Sequence, residues 1–163
     1  MNIQKKVEYD QEKIKMLIAD IENLGTETTD LRKPLFHKLK QEIHVLHTAE
    51  EEVVFEAVQD DAEEITDALE SENKKINQIM QRIEKTPEND NQWHDEFARL
   101  KEKVLNRIEH EQDDLMPIMD KSLGDQESEA LAEELSEEKD DQVNVDIQEL
   151  PQESGPTKKR NVS

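Results

Sequence analysis

His47-Thr-Ala-Glu-Glu51-Glu-Val-Val-Phe55 and Arg107-Ile-Glu-His-Glu111-Gln-Asp-Asp-Leu115-Met-Pro117 are matched segments of one chain. On a helix, residues four apart share a face. The first segment therefore presents an imidazole and a carboxylate together, the start of a transition-metal site. The second keeps the carboxylate, Glu111, but places Arg107, which cannot ligate a metal, where an imidazole would stand.

Around these segments, apolar residues recur at spacings of three and four in four blocks, the mark of amphipathic helices. The first carries Val7, Ile14, Ile18 and Ile21, with Gly25 as its stop. The second opens near Asp30, tolerates Pro34 in its first turn, and carries Phe36, Leu39, Ile43, Val54 and Val58. A third starts around Asp61 and carries Ile65, Leu69, Ile76, Met80 and Ile83. Thr86-Pro-Glu-Asn-Asp-Asn91 is dense in turn formers and separates it from the fourth, with Phe97, Leu100, Val104, Leu115 and Ile118. Four helices joined by short connections predict an all-α, up-down-up-down four-helix bundle over residues 1–122.

The composition agrees. Among 163 residues, 39% are charged and 3% aromatic, with three glycines and five prolines, which suits helices and not sheets. A net charge of −21 argues against nucleic acid or an anionic membrane surface as partner. The absence of cysteine excludes disulfides, zinc ribbons, thiol catalysis and iron–sulfur clusters. The start of the chain has no apolar h-region, and no apolar run approaches the ~20 residues that span a bilayer, so a cytoplasmic location is expected.

Beyond Ser122 acidic residues dominate, ending in Leu150-Pro-Gln-Glu-Ser-Gly-Pro and Lys158-Lys-Arg160. Ala130, Leu131 and Leu135 support one weak helix at most. Residues 123–163 are therefore expected to form an acidic, largely disordered tail, either solubilising or docking to a basic protein partner.

Each stripe is interrupted by polar residues on its inward side: Gln11 between Val7 and Ile14, His47 and Glu51 between Ile43 and Val54, Asn73 between Leu69 and Ile76, and Arg107 and Glu111 between Val104 and Leu115. With alternating helix directions, all six converge on one layer. Buried polar groups are costly unless partnered, so such a layer binds something or satisfies itself.

The order and spacing of these segments, with Asp10-Gln-Glu-Lys-Ile-Lys-Met-Leu-Ile, Glu72-Asn-Lys-Lys-Ile and Trp93, resemble the hemerythrin-like (HHE cation-binding) family over about residues 1–120. The resemblance implies a bundle in which single histidines on two helices and two His-x-x-x-Glu pairs surround two non-haem irons. Of those six positions this chain keeps His47, Glu51 and Glu111, and has Gln11, Asn73 and Arg107 in place of histidines. Amides are poor iron ligands and a guanidinium is a fixed cation. The expectation is a degenerate metal site without cofactor. Two facing carboxylates would raise each other's pKa or demand a counter-cation, and Arg107 can supply it by forking onto both.

Three functions stay open at this point: a non-catalytic binding or regulatory module; an atypical non-haem iron or other cation site sensing or buffering oxygen, nitric oxide or iron; and a handle whose acidic tail docks a basic partner. His110, which pairs with Asp114 at i, i+4, is a candidate shifted ligand, although it lies about 60° or more off the Arg107–Glu111 line. His37, His44 and His94 read as surface or structural residues, Trp93 and Phe97 as core, and Glu50 and Glu52 as solvated flanks of the inward face. No glycine-rich phosphate loop and no nucleophile beside a base is present, so no catalytic residue is assigned.

Overall fold

The computed structural model describes residues 1–24 and 29–149; Gly25 and the segment from Leu150 through Lys158-Lys-Arg160 lie outside them. Helix α1 spans Ile3–Glu22, capped by Asn2, whose side chain accepts from the Lys5 amide. Helix α2, Thr29–Ala49, holds Pro34 in its second turn and not, as expected, its first. It runs on through a π-helical segment, Glu50–Phe55, into α3, Glu56–Glu84. The chain reverses inside α3 at Ala62, where the backbone leaves helical geometry (φ −142°, ψ 32°).

Asp90 caps α4, Asn91–His110, by accepting from the Gln92 amide. A second π-helical segment, Glu111–Leu115, leads to α5, Met116–Ser122, which carries Pro117 in its first turn, where a missing N–H costs nothing. Cross-links between elements give the topology. Lys40 meets Glu84 at 2.6 Å and Asn73 meets Glu51 at 2.8 Å, so the chain before and after Ala62 runs antiparallel. Lys101 meets Glu22 at 2.7 Å and Arg82 meets Glu96 at 3.1 Å, which sets α4 antiparallel to α1 and to α3. This is the expected up-down-up-down bundle. No helix among the described residues is long and apolar enough to cross a membrane.

The apolar interior is split in two. One cluster, from Ile14 to Ile21 on α1 and from Phe36 to Leu46 on α2, joins Ile76–Ile83 and the Trp93–Ile108 stripe. The other holds Ile3, Val7, Val54, Val58, Leu69, Leu115 and Met119. Polar side chains of one layer separate them.

The expected disordered tail from 123 is corrected over much of its length. Residues Asp125–Glu149 form a further helix, α6, and the described part of the chain does not end its packing at 122. The Ile3 amide donates to Ser128 Oγ at 2.9 Å, and Lys139 Nζ lies 3.0 Å from Asp10 Oδ1, so α6 runs parallel to α1. Leu131, Ala132 and Leu135 are buried in the second cluster, while Ala130 faces out. The apolar stripe on α6 is short, and composition alone undervalues it. What holds the helix is a bundle cluster that Leu131 and Leu135, one turn apart, help to close. Truncating Leu135, fully buried, to alanine should cost about 2–4 kcal/mol in urea unfolding; a loss below about 0.5 kcal/mol would mean that α6 does not stay docked.

Candidate functional site

The layer is centred on Arg107. Its guanidinium is fully buried, a state tolerated only with charged and hydrogen-bonding partners. Arg107 Nη1 donates to Glu111 Oε1 at 2.7 Å, and Nε donates to Asn73 Oδ1 at 2.8 Å. Glu50 Oε1 lies 3.4 Å from the same Nη1. Gln11 Nε2 also donates to Glu111 Oε1 at 2.7 Å, and its own carbonyl accepts from Gln112 at 2.7 Å. Asn73 Nδ2 donates to Glu51 Oε2 at 2.8 Å, so Asn73 links the arginine to that carboxylate.

Gln11, Asn73, Arg107 and Glu111 thus meet as the sequence predicts. Glu50 does not behave as predicted. It is fully buried beside Arg107 and Glu111, whereas Glu51 is only partly buried, toward α3. The inward stripe of the second arm runs Phe36, Leu39, Ile43, Leu46, Glu50, Val54, Val58. It passes through Leu46 and Glu50, which leaves His47 and Glu51 on the α3-facing flank of the stripe. The two π-helical segments begin at the two innermost carboxylates, Glu50 and Glu111, and their wider turns keep the next inward residues, Val54 and Leu115, in line. The steps of four from Leu46 to Glu50 to Val54 were the available signal for Glu50.

Asp10 was also missed. It is buried, with Oδ1 shared between Lys6 (3.5 Å) and Lys139 (3.0 Å). Its place between Val7 and Ile14 marks an inward position, but Lys139 comes from α6, across most of the sequence. His47 is buried and lines a small cavity of about 160 Å³ with His44, Glu51 and Asn73. Gln11 and Asn73 bond carboxylates and not His47. His110 stays at the rim, Nδ1 2.7 Å from Glu72 and Nε2 3.2 Å from Asp114, and so joins none of the other candidate ligands.

Burial raises the Glu50 carboxyl well above its ordinary value, and facing Glu111 adds to the effect, against the opposing pull of Arg107. As two carboxylates, Glu50 and Glu111 would repel each other, and Glu50 Oε1, Glu50 Oε2 and Glu111 Oε2 accept no hydrogen bond. A proton on Glu50 turns that contact into a hydrogen bond to Glu111. Burial works against the charge on Arg107, yet Glu111 and Glu50 outweigh it and hold the guanidinium charged. Burial, then Arg107, then His44 push the His47 imidazole well below its usual range, so it is neutral.

This donor set does not fit a pair of metal ions. The position between the innermost carboxylates already holds a fixed positive charge, and repulsion from it opposes any cation placed there. Among the described residues, no three histidines, aspartates or glutamates are arranged to hold a metal ion. The layer's chemistry is a guanidinium with two carboxyl groups and, through Glu50, a proton.

Two predictions follow from this geometry. Arg107→Met leaves Glu111 and Glu50 buried without their cation and should destabilise the bundle by about 3–5 kcal/mol; a change within about 0.5 kcal/mol in urea unfolding would show that the network carries no stability. The second concerns pH. Above the ordinary carboxyl value of 4.5, the unfolded chain has lost a Glu50 proton that the folded chain keeps, so this group makes stability fall as pH rises toward its raised folded value. His47 acts oppositely, since below 6.5 the unfolded chain gains a proton that the folded chain refuses. Glu50→Gln should therefore gain stability over the wild type increasingly as pH rises above 4.5. Parallel unfolding curves at every pH would show that Glu50 holds no proton.

Comparisons with known proteins agree with this architecture. The family model for the hemerythrin HHE cation-binding domain matches residues 2–119. A hemerythrin HHE cation-binding domain-containing protein from Mycobacterium kansasii, solved by crystallography, superposes with a TM-score of 0.83 at 18% identity, covering 92% of each chain. No curated protein sequence matches the chain. With the family match spanning most of the bundle, this chain belongs to the hemerythrin HHE cation-binding domain family.

Proposed function

We propose that this chain is an HHE domain in which an arginine-centred network stands in for the metal centre, and that it serves as a non-catalytic binding or regulatory module. The observation that carries this reading is the fully buried Arg107 guanidinium, 2.7 Å from Glu111 and 3.4 Å from Glu50. One guanidinium charge and one shared proton compensate the carboxyl pair without a metal ion. The exposed carboxylates of α6, among them Glu129, Glu133 and Glu137, give the module an acidic face for a basic protein partner.

A second reading rests on three carboxylate oxygens of Glu50 and Glu111 that accept no hydrogen bond and on the neutral His47: an atypical single-cation site, of iron or another metal, for sensing or buffering. Anaerobic reconstitution with Fe(II), read by elemental analysis, separates the two. The first reading expects no stoichiometric iron and a melting temperature unmoved by added metal. It further expects that Gln11→His, Asn73→His and Arg107→His together, which restore the family's ligand types, create iron binding that the wild type lacks. Stoichiometric iron in the wild type, lost on Glu111→Ala, would overturn the first reading and establish the second.

A further inference from the structure

At the far end of the bundle from the polar layer lies an open cavity of about 750 Å³, within the size range of small-molecule sites. It is set between the first turns of α2, the end of α3 and the start of α4. Phe36 is eleven residues before His47 on one helix, which places the cavity roughly 16 Å from the layer at ~1.5 Å per residue.

Its floor is apolar. Phe36, Ile83 and Trp93 line it. The Trp93 ring stacks on Phe97 with centroids 5.3 Å apart and planes at 9°, and meets Phe36 edge-on at 6.0 Å. The Arg32 guanidinium sits 5.0 Å from the Trp93 ring centroid and donates to the Glu88 carbonyl at 2.8 Å, tying the α3–α4 connection to α2.

The charge at the rim runs against that of the chain. The protein carries −21, yet Lys33 and Lys85 both border this cavity. Neither forms an ion pair with a described residue. Of the two glutamates on the wall, Glu84 is taken by Lys40 at 2.6 Å. With Glu84 so paired, Lys33 and Lys85 face one remaining carboxylate of the wall, Glu88. A chain so acidic repels anions in general, so a local cationic rim over an aromatic floor selects for them at one place.

We propose that this cavity binds a small amphipathic anion, its apolar body against Phe36, Ile83 and Trp93 and its carboxylate, sulfonate or phosphate head between Lys33 and Lys85. An apolar cation of the same size would meet the lysines instead of being held by them, and a strongly polar anion would leave the aromatic floor unused.

The chain has one tryptophan, so the indole N–H signal of ¹⁵N-labelled protein reports this cavity alone. Octanoate and octyltrimethylammonium, which share a tail and differ in head charge, serve as probes below their micellar concentrations. Octanoate is expected to shift the Trp93 signal saturably and to bind more tightly than the cation. Lys33 and Lys85 are exposed, so the Lys33→Glu/Lys85→Glu double variant should keep its helicity by circular dichroism. It should weaken octanoate about tenfold, as reversal of two surface charges implies. The proposal is overturned by any of three results: no saturable shift with octanoate, equal binding of the cation, or undiminished octanoate binding by a folded double variant.

Discussion

A buried guanidinium is the constraint on which this bundle turns. Arg107 sits where two apolar clusters meet, and a charge there persists only because Glu111, Glu50 and Asn73 surround it. Every arm of the bundle supplies a side chain to that layer: Asp10 and Gln11 from α1, His47 and Glu50 from the second arm, Asn73 from the third, Glu111 with Arg107 from the fourth. The interaction therefore sets the relative heights of the helices as well as their charge balance. A bundle held by aliphatic residues alone could slide by a turn at small cost; one with a hydrogen-bonded charge at its middle cannot.

The same layer relates this chain to its family and sets it apart. The fold and the family match place it among HHE domains, whose pattern converges polar side chains at mid-height on a bundle axis. Here an arginine lies at the centre of that layer. Two facing carboxyl groups need positive charge in a low-dielectric interior, and Arg107 supplies it from within the chain. The π-helical turns beginning at Glu50 and Glu111 belong to this arrangement, since each carries a carboxylate inward and then restores the apolar stripe behind it.

The α6 helix shows how a weak sequence signal becomes structure through context. Alone, an acidic segment with few apolar residues has little reason to order. Against the bundle it gains a site for Leu131 and Leu135, a hydrogen bond from the Ile3 amide to Ser128, and the Asp10–Lys139 ion pair. Lys139 thereby brings a second cation to the edge of the polar layer.

The helical blocks, the antiparallel bundle and five members of the layer were legible in the sequence because periodicity is local: Ile14 and Ile18, or Val104 and Arg107, share a face whatever surrounds them. Arg107 and Glu111 stood out for that reason. The choice between Glu50 and Glu51 was not local, because it depends on the stripe passing through Leu46 and on a widened turn that only packing stabilises. Asp10 and Lys139 were invisible as a pair because an ion pair across so many residues leaves no spacing to read. The cavity at Trp93 belongs to the same class, made by three segments whose ends meet only once the bundle closes. Local pattern determined which residues face inward; the tertiary structure decided which of them meet, since partner choice depends on helix register and on the low dielectric that the packed bundle creates.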